Sequence, residues 1–142
     1  MGSDFQKLND INVSEFMITE PFYTTPDEKI STTELFMLRK KIGGLPVVRD
    51  LKEKIVIGII TQRDIRLARF ALAVEASKTK VRDLMSPDPI VVKLEDTLKV
   101  VLEKMFKNDI ERLPVVDNNK KLIGLVIQND ILKAIYKHLT KL

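Results

Sequence analysis

The chain has 142 residues, of which 44% are apolar and 31% are charged, a balance that is typical of globular domains and argues against wholesale disorder. It contains no cysteine and a single histidine, which excludes disulfides, thiolate metal sites, cysteine nucleophiles and histidine metal clusters. The net charge of +4 comes from lysines and arginines spread along the chain, which indicates a solvated surface more than a nucleic-acid footprint.

Residues 1–12 are predicted to be an N-terminal extension. The segment "MGSDFQKLND" lacks the apolar region of a signal peptide. No apolar run approaches the roughly 18 residues that a membrane-spanning helix needs. A cytoplasmic protein is therefore expected.

An internal repeat follows the extension. "VSEFMITEP" from Val13 returns as "VRDLMSPDP" from Val81, and "IGGLPVV" returns as "IERLPVV". "GIITQRDI" from Gly58 then returns as "GLVIQNDI" from Gly124. Three related segments in the same order predict two copies of one structural unit, a first repeat at residues 13–76 and a second at residues 77–142.

Each repeat is predicted to begin with a short strand and a helix. "FYTT" and "IVVK" are rich in β-branched and aromatic residues, which favour strands. In the first repeat Thr25 is a candidate helix cap. In the second repeat Leu98, Val101, Leu102 and Met105 recur at helical spacing and form one apolar face.

A β-hairpin and a second helix complete each repeat. "LPVV" is followed by a polar turn and by "IVIGIIT" or "LIGLVI", the returning strand. The second helix starts near Asp64 or Asp130, where a carboxylate can cap free amides. One β-α-β-β-α unit leaves an apolar sheet face uncovered, so we predict an α+β fold in which two units pack sheet-to-sheet with pseudo-two-fold symmetry.

This pattern resembles the CBS domain, and the pair resembles a Bateman module. The resemblance covers Val13 to about Tyr136 and lies in "FMITEP" and "LMSPDP", "GLPVV" and "RLPVV", and "GIITQRDI" and "GLVIQNDI". The chain also looks like the CBS insert of IMP dehydrogenase, without a catalytic barrel. The resemblance implies a stand-alone, homodimeric regulatory protein that binds AMP, ADP, ATP or S-adenosylmethionine and acts on a protein partner, with no resident cofactor or metal.

The resemblance also implies two ligand clefts, each built from both repeats. In the first cleft Asp64 would accept hydrogen bonds from ribose hydroxyls, Thr61 would bridge ribose or phosphate, and Arg112 would neutralise phosphate. The other predicted contacts of this cleft are Ile59, Arg63, Pro89, Ile90 and Ile110.

The second cleft departs twice from the family pattern. Asp130 would still hold a ribose, but Ile127 lacks the hydroxyl of Thr61, and Gly44 stands where the first cleft has Arg112. Its other predicted contacts are Pro21, Phe22 and Ile42. We therefore expect this cleft to be empty or to take a less charged ligand, such as adenosine, methylthioadenosine or S-adenosylmethionine.

Other readings of these residues remain open. Asp64 and Asp130 could be helix caps alone, Thr61 could serve packing alone, and Arg112 could be an exposed surface charge. The alternative function is a nucleic-acid-binding or protein-scaffold module without a small-molecule ligand. An enzyme is not predicted, because the sequence contains no P-loop, no G-x-S-x-G motif and no histidine pair.

Overall fold

The computed structural model describes residues 7–140. The first six residues of the predicted N-terminal extension lie outside the described residues. The fold divides into two compact units: a middle unit, Phe22–Pro89, and a split unit, Met1–Pro21 with Ile90–Leu142. In chain order the elements are α1 (Val13–Phe16), β1 (Ile18–Thr19), α2 (Ile30–Lys40), β2 (Gly44–Val48), β3 (Val56–Thr61), α3 (Gln62–Leu72), α4 (Val81–Leu84), β4 (Ser86–Pro87), α5 (Leu98–Asn108), β5 (Arg112–Val116), β6 (Leu122–Ile127) and α6 (Gln128–Thr140).

Each unit contains one three-stranded antiparallel sheet. The strand order is β2-β3-β4 in the middle unit and β1-β6-β5 in the split unit. The predicted hairpins are β2–β3 and β5–β6, and each has a register shift next to its turn. Pro46 and Pro114 lie on the edge strands β2 and β5, where a missing N–H is tolerated. The α+β fold class predicted from the sequence is confirmed.

The two units do not coincide with the two sequence repeats, because the first strand of each repeat pairs with the hairpin of the other repeat. The strand β1 precedes the helix of the first repeat but pairs with β6, and β4 opens the second repeat but pairs with β3. Each exchange is short, with two residue pairs per ladder. The residues that complete a sheet are therefore distant in sequence from its hairpin.

A glycine on each hairpin permits this close strand exchange. A Cβ atom on Gly58 would lie 2.7 Å from the Met85 sulfur and 3.1 Å from the Ser86 carbonyl oxygen. A Cβ atom on Gly124 would lie 2.5 Å from the Met17 sulfur. The repeated glycine of "GIITQRDI" and "GLVIQNDI" thus makes room for the repeated methionine of "FMITEP" and "LMSPDP".

The core of each unit lies between its sheet and its helices. In the middle unit it includes Ile30, Met37 and Ile60, all completely buried. In the split unit it includes Val101 and Leu113. Burial of such side chains supplies the main stabilisation, about 1.5–3 kcal/mol for each large apolar residue. The helix periodicity read from the second repeat is confirmed, because the buried positions Leu98, Val101 and Met105 fall on one face of α5.

Two local predictions were wrong. "FYTT" and "IVVK" are not strands: each makes a single parallel bridge, Thr24 with Val47 and Val92 with Val115. The helix of the first repeat does not start at Thr25 but at Ile30, without a side-chain cap. The intervening residues are held by tertiary hydrogen bonds instead, as in the bond from the Val81 N–H to the Glu28 carbonyl oxygen, 2.9 Å. No helix within residues 7–140 is long and apolar enough to cross a membrane.

Candidate ligand site

The predicted site residues Thr61 and Asp64 form a reciprocal capping box at the start of α3. The Thr61 N–H donates to Asp64 Oδ2 at 2.9 Å, and the Asp64 N–H donates to Thr61 Oγ1 at 3.1 Å. This arrangement satisfies two amide groups that a helix start otherwise leaves free. The capping role considered for these residues is therefore present, and one oxygen of Asp64 is already engaged.

The other predicted residues of the middle unit lie along β3 and at its edges. Ile59 and Thr61 alternate with buried positions, so both lie on the less buried face of β3. Gly44 on β2 is directly opposite Thr61. The Ile42 carbonyl oxygen accepts a hydrogen bond from the Gln62 side chain at 3.0 Å, which ties the segment before β2 to the start of α3. Arg63 is exposed.

Phe22 and Pro89 lie at the two ends of the middle unit. Phe22 is 49% exposed, and its ring packs edge-on against Phe36 with 5.2 Å between centroids. The Lys40 ammonium lies 5.3 Å from the centroid of the Phe22 ring, which is a cation–π distance. Pro89 is half-buried. Phe22 thus already has protein partners on two sides.

The predicted residues of the split unit include Arg112, at the start of β5. Arg112 is directly opposite Ile127 on β6, and paired residues of an antiparallel ladder project to the same face of the sheet. Ile90 and Ile110 are partly buried against the core of this unit, and Pro21 is buried. The structure therefore places Arg112 opposite Ile127 and Gly44 opposite Thr61, each pair within one unit.

Asp130 differs from its counterpart Asp64 in having an unsatisfied oxygen. Its Oδ2 atom is buried and has no hydrogen-bond partner within the described part of the chain, although the residue as a whole is partly exposed. Burial raises the pKa of the Asp130 carboxyl above its ordinary value, against the opposing effects of the Ile127 backbone N–H and the Lys133 ammonium. A buried carboxylate oxygen without a donor is uncommon, because it costs stability.

A cavity of about 610 Å³ opens beside Asp130 within the split unit. One wall is α6, and the other is α1 with its flanking residues. Ile11, Phe16, Met17 and Ala134 supply its apolar surface. This volume lies within the range of small-molecule sites, roughly 300–1,000 Å³. Charged and polar side chains make up the rest of the lining.

Two lysines of this cavity were missed by the sequence reasoning. Lys133 and Lys137 line the cavity together with Asp130. They follow Asp130 by three and seven residues, a spacing that places all three on one face of a helix. That spacing was available in the sequence, but the only cations considered there were Arg63 and Arg112. Within residues 7–140, no group of three or more His, Asp or Glu side chains is arranged to hold a metal ion.

Comparison with known proteins identifies the family. The model of the CBS domain family matches residues 13–70 and again residues 81–137. The chain is 38% identical over 119 residues to inosine-5'-monophosphate dehydrogenase of Methanocaldococcus jannaschii and 35% identical over 120 residues to that of Bacillus subtilis. Each alignment covers 84% of this chain but only 22% and 23% of the relatives, so the enzymatic activity of those proteins is not indicated for this chain.

Solved structures of CBS pairs share the fold. CBSX2 in complex with AMP superimposes with a TM-score of 0.77 at 25% identity, covering 89% of this chain and 97% of that one. The CBS domain pair of protein MJ0100 in complex with 5'-methylthioadenosine and S-adenosyl-L-methionine gives 0.78 at 25% identity, covering 87% and 98%. Protein MJ1225 from Methanocaldococcus jannaschii gives 0.79 at 28% identity, covering 94% and 51%. The chain therefore belongs to the CBS domain family, and residues 13–70 and 81–137 are its two CBS domains.

Proposed function

We propose that this chain is a regulatory module that binds an adenosine-containing ligand through Asp130. The proposal is carried by the Asp130 carboxyl: its buried Oδ2 atom has no donor within residues 7–140, and the residue lines a cavity of about 610 Å³. An ionised carboxylate only accepts hydrogen bonds, so the group that satisfies it must donate them. The neighbouring 2′- and 3′-hydroxyls of a ribose are such donors.

The surroundings of Asp130 suit a nucleoside. Phe16, Met17 and Ala134 offer apolar surface that an adenine base can cover. The similarity to CBSX2 in complex with AMP and to the MJ0100 pair in complex with S-adenosyl-L-methionine supports an adenosyl ligand. Which adenosyl compound binds depends on the charges of the cavity.

Asp64 is proposed as a second ribose contact, ranked below Asp130. Its Oδ2 atom already accepts the Thr61 N–H at 2.9 Å, and Thr61 Oγ1 already accepts the Asp64 N–H at 3.1 Å. A ribose at Asp64 would have to share these groups with the helix cap. The sequence favoured Asp64 as the ribose contact because Thr61 precedes it. Asp130 now ranks first because the groups of Thr61 and Asp64 are already used in capping α3.

The proposed module also forms a homodimer that transmits the ligand state to a protein partner. The helix α3 exposes Leu67 and Phe70, the latter by 92%, and α6 exposes Leu132, Tyr136 and Leu139. Apolar surface of this kind marks association sites. Regulation then requires a ligand that binds two dimer arrangements with different affinity. Sedimentation analysis with and without AMP tests the homodimer and its response to the ligand. A cytoplasmic location and the absence of a resident cofactor are also part of the proposal.

Calorimetric titration tests the binding proposal. The ligands are adenosine, AMP, ATP and S-adenosylmethionine, each titrated into the unmodified chain and into the Asp130→Asn and Asp64→Asn variants. We expect at least one ligand to bind, and we expect Asp130→Asn to weaken it by about tenfold, since a hydrogen bond to a charged group contributes about 1.5–3 kcal/mol.

Two results would contradict the proposal. If none of the four compounds binds at millimolar concentration, the chain is not an adenosyl sensor. If binding survives Asp130→Asn but is lost in Asp64→Asn, the site lies at α3, and the unsatisfied oxygen has another explanation. The isosteric substitution keeps the shape of the cavity, so a loss of affinity reports on the carboxylate itself.

A further inference from the structure

The cavity beside Asp130 carries a row of charges along α6. Asp130, Lys133 and Lys137 are three and four residues apart, so they share one face of the helix, and all three line the cavity. At a rise of 1.5 Å per residue, Lys133 lies about 4.5 Å and Lys137 about 10.5 Å further along the helix axis than Asp130. A ligand that is anchored at Asp130 and extends along α6 therefore passes both ammonium groups.

The first repeat has no such row. When "GIITQRDI" is aligned with "GLVIQNDI", the positions of Lys133 and Lys137 are held by Leu67 and Ala71. The helix α3 thus carries apolar residues where α6 carries two cations. The second repeat has Ile127 where the first repeat has a threonine hydroxyl, and it has two lysines where the first repeat has apolar residues. The two sites therefore differ both in a hydroxyl group and in positive charge.

Both ammonium groups are available to a ligand. Within the described part of the chain, neither Lys133 nor Lys137 lies within 4.0 Å of a carboxylate oxygen. Both side chains are exposed. The Lys133 ammonium also acts on Asp130, because it opposes the rise in the pKa of that carboxyl that burial causes.

The remaining titratable groups of the cavity are Glu15, Asp130, Tyr136 and His138. Glu15 Oε2 accepts the Asn12 N–H at 2.7 Å, so this carboxylate is occupied in capping α1. Asp130 needs hydrogen-bond donors, and the two lysines need acceptors. A ligand that fits must therefore present hydroxyl donors at one end and negative charge at the other.

We propose that Lys133 and Lys137 are specificity-determining residues, which make the Asp130 cavity select an adenine nucleotide with a 5′-phosphate over the uncharged nucleoside. The ribose hydroxyls donate to Asp130, and the phosphate lies along α6 between the two ammonium groups. This inference rests on the proposed function. It replaces the expectation of a less charged ligand, which considered Ile127, Gly44 and Asp130 but not the two lysines.

The test compares AMP with adenosine in a matched pair of double variants. Lys133→Leu/Lys137→Ala gives the cavity the residues that the first repeat has at these positions. Lys107→Leu/Lys121→Ala removes the same total charge from exposed lysines outside the cavity. Calorimetry measures AMP, adenosine and sodium phosphate, and ¹⁵N NMR follows the amides of residues 130–138, which locates the binding.

We expect AMP to bind on the order of tenfold more tightly than adenosine, from two partly exposed charge contacts. Lys133→Leu/Lys137→Ala should abolish that advantage and leave adenosine unchanged, whereas the control pair should keep it. The advantage should also shrink as salt screens the charges. AMP should shift the amides of residues 130–138 more strongly than an equal concentration of sodium phosphate.

Each contrary result is distinct. If adenosine and AMP bind equally well through Asp130, or if the two double variants behave alike, the proposed function stands and this inference fails. If sodium phosphate alone displaces AMP at equal concentration, the lysines form a free-anion site and the nucleotide assignment fails. If no adenine compound binds, the proposed function itself fails.

Discussion

Replacing Asp130 with asparagine should stabilise the protein, whereas the same replacement at Asp64 should destabilise it. Burial raises the pKa of the Asp130 carboxyl, so the charged form is disfavoured in the fold, and its Oδ2 atom lacks a donor within residues 7–140. Asparagine keeps the shape and removes the charge. Asp64 instead satisfies the Thr61 N–H at 2.9 Å and lies at the positive end of α3.

The expected magnitudes follow from these contacts. Asparagine still places a polar amide atom at the unsatisfied position, so the gain comes only from removing a buried charge, and the partial exposure of Asp130 keeps this gain small. Asp130→Asn should therefore raise the free energy of unfolding by about 1 kcal/mol, or Tm by about 3 °C. Asp64→Asn should lower it by about 0.5–1 kcal/mol, since the neutral amide caps the helix more weakly and loses the attraction of the helix dipole.

The pH dependence gives a second check on Asp130. Its pKa in the fold lies above the ordinary value of 3.8, so the folded protein binds this proton more tightly than the unfolded chain. The penalty of ionisation is absent below the ordinary pKa, grows as pH rises through the folded pKa, and is complete above it. The stability gap between Asp130→Asn and the unmodified chain should thus widen from pH 4 to pH 7.

Urea unfolding followed by circular dichroism measures both variants at each pH. His138 borders the same cavity, but it is present in every variant and cancels in the differences. If Asp130→Asn lowers the stability as much as Asp64→Asn does, Asp130 is a helix cap and the argument from its unsatisfied oxygen is refuted. A gap that does not change with pH would refute the assignment of the effect to ionisation.

Two further predictions concern the helix start and the strand exchange. Ile127→Thr should supply the missing hydroxyl acceptor for the Asp130 N–H and raise the free energy of unfolding by about 0.5–1 kcal/mol, with Ile127→Val as the control that changes shape without adding a hydroxyl. Gly58→Ala should lower it by about 1–3 kcal/mol, because the new Cβ atom would lie 2.7 Å from the Met85 sulfur. In a Met85→Ala background the same change should cost clearly less, and purely additive losses in thermal unfolding would show that the clash is not with Met85.

Much of the fold could be predicted from the sequence because the signals are local. The hairpins follow from alternating β-branched residues around polar turns. The start of α3 follows from a capping box that spans only four residues, Thr61–Asp64. The single bridges at Thr24 and Val92 could not be predicted, because their partners lie on distant strands. A β-branched run looks the same whether it finds a full ladder or one bridge.

The sequence by itself determined that this protein has two copies of one unit, that each copy has a hairpin followed by a helix with an aspartate in its first turn, and that the copies differ at Thr61 and Ile127. These features depend on residues close together in the chain. Only the tertiary structure decided that β1 and β4 complete the sheet of the opposite repeat, and that Asp130 has a buried oxygen without a donor. Burial and desolvation depend on residues such as Phe16 and Ala134, which meet only when α1 packs against α6.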